Sequence, residues 1–173
     1  ELIQNDLESY AEKILNDYDL KTPGTIFKDN ITISNEDAWR IQSAVTYLRQ
    51  KRGEEVIGYK IGCISKKSQI KMGFTQPAWG RLWKHELYSD GVTLEKSNYS
   101  NPAMEAEFGI ILNRDLTPKL VNLDYILASI ETIHPIIEID NLVFNGNPPF
   151  GAELLANNAI HAGVVIGKST KGN

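Results

Sequence analysis

The sequence predicts an α+β fold in which N-terminal helices are followed by a mixed, mostly β body. Three observations lead there. Between Leu7 and Gly53, apolar residues recur at helical spacing in two runs separated by KTPGTIFKDN. From EVIGYKIGC onward the spacing switches to the two-residue period of a strand. Further along, PAMEAEFGIIL, IIEID and HAGVVIG are short apolar runs with turn residues between them. Residues 1–54 are expected to form a helical region and residues 55–173 a β-rich region of the same single domain.

In the first run, Leu7, Tyr10, Ala11, Ile14 and Leu15 make one face of an amphipathic helix, and Pro23 and Gly24 place a loop after it. In SNEDAWRIQSAVTYLRQKRG, Ser34 is positioned to cap a second helix, with Asp37 three residues on as in a capping box. Ala38, Ile41, Ala44, Val45 and Leu48 form its buried stripe, and Gly53 stops it. In the strand that follows, Ile57, Tyr59 and Ile61 share one face, while Val56, Gly58 and Lys60 share the other. Ser65 to Met72 reads as a short helix closed by Gly73, and SDG at 89–91 as a turn. PAMEAEFGIIL is a strand expected to bury Ile110, Ile111 and Leu112, with a turn at NRDLTP after it. Asn122 is a cap for a helix carrying Leu123, Ile126, Leu127 and Ile130. His134–Pro135 should end that helix, because a residue before proline is pushed away from helical geometry.

Composition narrows the functional classes. Of 173 residues, 42% are apolar and 23% charged, a balance that supports a buried core. The net charge of −4 and the absence of a basic block argue against nucleic acid as a partner. No apolar run approaches the roughly 20 residues that cross a bilayer, and ELIQNDLESYAEKIL is too charged for a signal peptide. The single cysteine, Cys63, excludes an internal disulfide and suits a reducing compartment. A soluble, cytoplasmic domain is expected.

Three carboxylates stand out against this background. Glu105 and Glu107 lie two apart in a strand, so both point to one face with Cα atoms about 6.5–7 Å apart. Glu138 interrupts the apolar run Ile136, Ile137 and Ile139, where an unpaired carboxylate is strongly penalised. Three hard oxygen donors suit Mg²⁺ or Mn²⁺ better than Zn²⁺. Spacing alone leaves solvated strand positions or salt-bridge partners open. Lys60, between Gly58 and Gly62, is placed to stabilise negative charge or pass a proton; an edge-strand lysine that discourages aggregation has the same pattern. Ser65, with Lys66 and Lys67 at a helix start, and Arg81 are candidates for substrate carboxylates, a solvated helix start being the alternative for Ser65. His85, His134 and His161 lack ligand spacing among themselves. His161 lies near the pocket-forming segment, while Cys63, Trp79 and Trp83 read as packing residues.

The blocks VIGYKIGCISKKSQIKMGFTQPAWGRLW, MEAEFGIILNRDL, IHPIIEIDN and LANNAIHAGVVIG, in that order, resemble the 2-keto-4-pentenoate hydratase and 4-oxalocrotonate decarboxylase group of the fumarylacetoacetate hydrolase superfamily. The resemblance implies a β body of that superfamily's type. It also implies a metal bound by Glu105, Glu107 and Glu138, a catalytic Lys60, and a substrate site that includes Asn158. The implied ion is Mg²⁺, with Mn²⁺ as a substitute, acting as Lewis acid on a 2-oxo acid. The implied reactions are hydration of a 2-hydroxy-2,4-dienoate or decarboxylation of a related 2-oxo-enedioate, in aromatic catabolism. A homo-oligomer, with a partner enzyme of the same pathway, is the implied assembly.

Two positions depart from the group. QPAWG has Ala78 where hydratases carry an acid, which tilts the reading toward decarboxylation. ANNA has Asn157 in place of an aspartate, and an amide is no base. The group's sequences also continue well past VVIGKSTKGN, so the body is expected to be incomplete at its C-terminal end. The rival readings are an acylpyruvate C–C hydrolase of the same superfamily and a non-catalytic binding subunit.

Overall fold

The protein is described from a computed structural model, which covers residues 2–22, 24–28 and 31–171. Helix α1 (Gln4–Leu20) buries Leu7, Ala11 and Ile14, the stripe its spacing requires, and ends at Lys21 in a left-handed conformation. The loop after it holds a 3₁₀ turn at Thr25–Phe27; Pro23, part of the basis for expecting a loop, lies outside the described residues. Helix α2 (Asn35–Lys51) begins at Ser34, whose Oγ accepts from the Asp37 N–H at 3.0 Å and donates to the Asp37 carboxylate at 3.0 Å. Strand β1 (Val56–Gly62), helix α3 (Lys66–Met72) and strand β2 (Ala78–Trp83) follow. β1 and β2 pair antiparallel as a ribbon.

Next come β3 (Leu87–Ser89), β4 (Pro102–Leu112), α4 (Leu123–Ala128), β5 (Ile130–Asn141), α5 (Gly151–Ala156), β6 (His161–Ile166) and β7 (Thr170–Lys171). The second sheet runs β3–β6–β5–β4, with β7 also on β5; β3 is parallel to β6 and the remaining pairs are antiparallel. The main core lies between α1, α2, α5 and the start of β2, where Ile14, Phe27, Ile41, Phe74 and Leu155 pack together. No helix among the described residues is long and apolar enough to cross a membrane.

Two expectations fail here. Asn122 does cap α4, accepting from the Tyr125 N–H at 2.9 Å, but the helix ends at Ala128 and Ile130 already belongs to β5. His134 and Pro135 are strand residues. The β-branched run of Ile130, Thr132, Ile133, Ile136 and Ile137 favours extended backbone, and β4 supplies it with a partner along its whole length. Pro135 fits because it needs only to accept: its carbonyl takes the Gly167 N–H at 2.9 Å.

Ile110, Ile111 and Leu112 are not buried, being 55%, 42% and 41% exposed. β4 is an edge strand with β5 on one side only, and these side chains remain largely in solvent. Met104 and Phe108 are exposed as well.

Candidate metal centre on the β4–β5 ladder

The register of β4 against β5 sets Glu105 directly opposite Glu138, Ala103 opposite Asp140, and Glu107 opposite Ile136. Directly paired residues share a face, so Glu105, Glu107, Glu138 and Asp140 all project from the same side of the sheet. One carboxylate oxygen from each of Glu105, Glu138 and Asp140 lies within 4.8 Å of the others. Glu138 and Asp140 are buried, while Glu105 is exposed and leaves the cluster accessible. Glu107 sits two pairs along the ladder, the next position on the same face. Its carboxyl is held above the usual glutamate range by burial and by the nearby charges of Glu138 and Glu105.

Lys60 enters from β1. Its Nζ lies 2.9 Å from Glu138 Oε1, 3.3 Å from Asp140 Oδ1 and 3.0 Å from the Ala159 carbonyl oxygen. The ammonium thus donates to Asp140 and to the Ala159 carbonyl and forms an ion pair with Glu138. Burial would lower the lysine's pKa, but the charges of Glu138 and Asp140 outweigh it and hold it above the usual lysine value. On Asp140 burial prevails over the Lys60 charge, and its carboxyl is pushed up to about 6. On Glu138 the balance reverses. Burial opposes ionisation, yet the His161 hydrogen bond and the Lys60 charge hold the carboxyl below the usual range. His161 Nδ1 lies 2.7 Å from Glu138 Oε1. An ionised carboxylate can only accept, so Nδ1 carries the proton.

The segment before β6 builds the acceptor for Lys60. Asn158, Ala159 and Ile160 all have positive φ, at 56°, 51° and 56°. The conformation is held by Asn158, whose Oδ1 accepts from the Arg81 N–H at 2.7 Å and whose Nδ2 donates to the Arg81 carbonyl at 2.9 Å. It also depends on Gly80, opposite Lys60 in the ribbon: a Cβ there would stand 2.4 Å from the Asn158 carbonyl oxygen.

The residues singled out from sequence divide accordingly. Lys60, Glu105, Glu107 and Glu138 converge on one face. Ser65 is engaged elsewhere, accepting from the Ser68 N–H at 3.1 Å as the cap of α3. Arg81 pairs with Tyr59, on the face of the ribbon opposite Lys60, and its Nη1 donates to Gln42 at 2.7 Å. The side-chain amide of Asn158 is spent on the backbone of Arg81. Asp140 was missed, although its two-residue spacing from Glu138 repeats that of Glu105 and Glu107. His134 bonds the Gly167 carbonyl oxygen at 2.8 Å, far from any ligand role.

A separate cleft of about 340 Å³, lined in part by Tyr18, Arg49, Trp83, Glu86 and Tyr99, meets this site at His161 and Asn158. Buried Arg49 crosses its wall, 2.8 Å from Glu86 and stacked on the Trp83 ring at 4.0 Å.

Fold and site together define an α+β protein with a carboxylate-rich candidate centre for a divalent cation and a lysine at its edge. The chain is related in sequence to the 2-keto-4-pentenoate hydratase and 4-oxalocrotonate decarboxylase group. It is 31% identical over 135 residues to a 2-keto-4-pentenoate hydratase of Paraburkholderia xenovorans, covering 78% of this chain and 50% of that protein. It is 35% identical over 135 residues to a 2-hydroxyhexa-2,4-dienoate hydratase of Comamonas testosteroni, covering 77% and 51%. The chain therefore spans about half the length of the curated relatives it matches. No family model matches it. In fold it is similar to 4-oxalocrotonate decarboxylase from Pseudomonas putida G7 complexed with calcium and acetate, with a TM-score of 0.87 at 22% identity, covering 99% of this chain and 65% of the other. The same enzyme complexed with magnesium and adipate gives a TM-score of 0.86 at 23% identity.

Proposed function

We propose that this chain carries the metal centre and lysine of a divalent-metal-dependent lyase acting on a short 2-oxo or 2-hydroxydienoic acid, by hydration or decarboxylation. The observation that carries the reading is the ladder itself, which sets Glu105, Glu107, Glu138 and Asp140 on one face, with the Lys60 ammonium against Glu138 and Asp140. The donor set fits a hard divalent ion: the side chains are carboxylates, their charge exceeds what Lys60 neutralises, and Glu105 keeps one side open to solvent. Related hydratases by name, and a decarboxylase of the same fold complexed with magnesium, support Mg²⁺, with Mn²⁺ as its substitute.

A bound ion of this kind supplies Lewis-acid polarisation of the substrate's 2-oxygen and a template for its carboxylate. The chain's own groups do the rest. Lys60, fixed by Asp140, the Ala159 carbonyl and the charge of Glu138, places a positive charge where negative charge develops on the substrate. His161 orients Glu138 and keeps it ionised. Ala78, 1% exposed and opposite Gly62, brings no proton to the site, which favours decarboxylation over hydration. We infer a cytoplasmic enzyme that works as a homo-oligomer alongside an enzyme of the same pathway.

The test is thermal unfolding with Mg²⁺, with and without oxalate as a mimic of a 2-oxo acid. A ligand that binds only the folded state must raise its stability. A Mg²⁺-dependent oxalate shift absent from Glu107→Ala supports the reading, and separate assays of CO₂ release and dienoate hydration then divide the two reactions. A folded chain without a shift counts against it.

A further inference from the structure

We propose that the face presents two adjoining cation slots that share Glu138, and that Lys60 itself fills one of them with Asp140 as its dedicated counter-ion. Asp140 is then a positioning residue for the lysine rather than a metal ligand. The inference rests on the metal-centre reading above and assigns the carboxylates within it.

The ladder makes the division. Taking the Glu105–Glu138 pair as the middle level, Asp140 lies two pairs to one side and Glu107 two pairs to the other, each the next position on the same face. The oxygens of Glu105, Glu138 and Asp140 come within 4.8 Å of one another, a gap sized for one cation. That gap already has a cation at its wall. The Lys60 ammonium stands 2.9 Å from Glu138 and 3.3 Å from Asp140, and it completes its donors on the Ala159 carbonyl at 3.0 Å. A divalent ion placed among the same oxygens would face that ammonium at close range and compete for the same lone pairs. On the other side, toward Glu107, no ammonium is bonded to the ladder among the described residues, and Glu105 and Glu107, both exposed, form no ion pair there with a described cation. The second cation belongs there.

Ala159 reinforces the assignment. Its positive φ of 51°, the Asn158 clamp and the space left by Gly80 all serve to aim one carbonyl at Lys60. A lysine that was a loose surface charge would need none of this. Buried Asp140, 5% exposed, has no other bonded cation among the described residues.

The experiment has two independent readouts. The first is the ¹⁵N–¹H signal of the Lys60 ammonium in metal-free protein, assigned with Lys60→Met. A rigid ammonium, hydrogen-bonded to Asp140 and Ala159 and ion-paired with Glu138, gives a slowly exchanging signal in the wild type that Asp140→Asn abolishes while the fold, read by circular dichroism, is retained. The second is Mn²⁺ binding followed by electron paramagnetic resonance. Asp140→Asn keeps one Mn²⁺ per chain within the roughly tenfold loss that an outer-sphere change causes, while Glu107→Gln loses more. Lys60→Met, by vacating the first slot, admits a second Mn²⁺ that Lys60→Met/Asp140→Asn loses again. Loss of Mn²⁺ in Asp140→Asn as complete as in Glu107→Gln, or an ammonium signal indifferent to Asp140, overturns the proposal. A wild-type chain that binds no Mn²⁺ instead overturns the metal-centre reading, and the ammonium signal then decides the Lys60–Asp140 pairing by itself.

Discussion

His161 donates to Glu138 from the neighbouring strand across 2.7 Å, and both side chains are buried. The bond joins the β6 backbone turn to the middle of the carboxylate ladder, so the imidazole fixes where Glu138 points. Removing it leaves a buried charge with one partner fewer. His161→Ala is therefore expected to lower unfolding free energy by about 1–3 kcal/mol. Urea denaturation of the wild type and variant measures this, and an unchanged midpoint would show that solvent replaces the imidazole at no cost.

The cap of α2 gives a pH dependence of known sign. Asp37 accepts from the Leu2 N–H at 3.2 Å, Arg40 Nη1 at 2.7 Å and Ser34 Oγ at 3.0 Å. Burial would raise its pKa, but these bonds favour the carboxylate and hold it below its ordinary 3.8. A carboxyl depressed by folding contributes its full stability above the unfolded value and loses it as pH falls through the folded one. The gap in urea midpoint between wild type and Asp37→Ala should thus be present at pH 6 and shrink steadily below about pH 4. A gap constant down to pH 3 would exclude the linkage.

Arg49 is 4% exposed, 2.6 Å from Glu54 and 2.8 Å from Glu86. Its loss strands Glu86, which is buried, without its cation. Arg49→Met should cost about 3–5 kcal/mol, and Arg49→Met/Glu86→Leu should recover much of it, since replacing both members of a buried pair is far less costly than breaking it. Guanidinium denaturation of the single and double variants reads the coupling directly.

How much of this was legible in sequence follows from how local each signal is. Helices α1 and α2 and the Ser34 and Asn122 caps are written in neighbouring residues, and they form as read. From sequence alone β5 is expected to begin only after His134–Pro135, because that dipeptide carries a local helix-stop signal that cannot reveal the partner strand β4. The apolar end of β4 was expected to be buried because Ile110, Ile111 and Leu112 are apolar, but burial needs a covering layer, which no residue of the strand itself encodes. At the site, Glu105, Glu107 and Glu138 were legible because carboxylates in strands are costly. Asp140, at the end of the apolar run, shares a face with Glu138 by its two-residue spacing, and its pairing with Ala103 adds it to the face of Glu105 and Glu107. The use of Asn158 as a clamp on Arg81 depends on three consecutive positive φ values, which Asn-Ala-Ile does not suggest.

Glu105 and Glu138 face each other but differ in burial, and this separates binding from folding. Glu138, 2% exposed, is bonded to both Lys60 and His161. Glu138→Gln removes one of the two carboxylate partners of a buried ammonium and the acceptor of His161, and should cost about 3–5 kcal/mol of stability whether or not an ion is present. Glu105 is exposed, so Glu105→Gln should leave metal-free stability within about 0.5 kcal/mol of the wild type. Its effect should emerge only on adding Mg²⁺. An ion held at 100 times its dissociation constant stabilises the wild type by about 2.7 kcal/mol, and the variant should lose most of that gain. Paired melts with and without Mg²⁺ measure both quantities on the same samples. If Glu105→Gln keeps the full Mg²⁺ gain, the ion does not sit on this ladder; if it is destabilised without metal, Glu105 is a folding residue and its exposure is misleading.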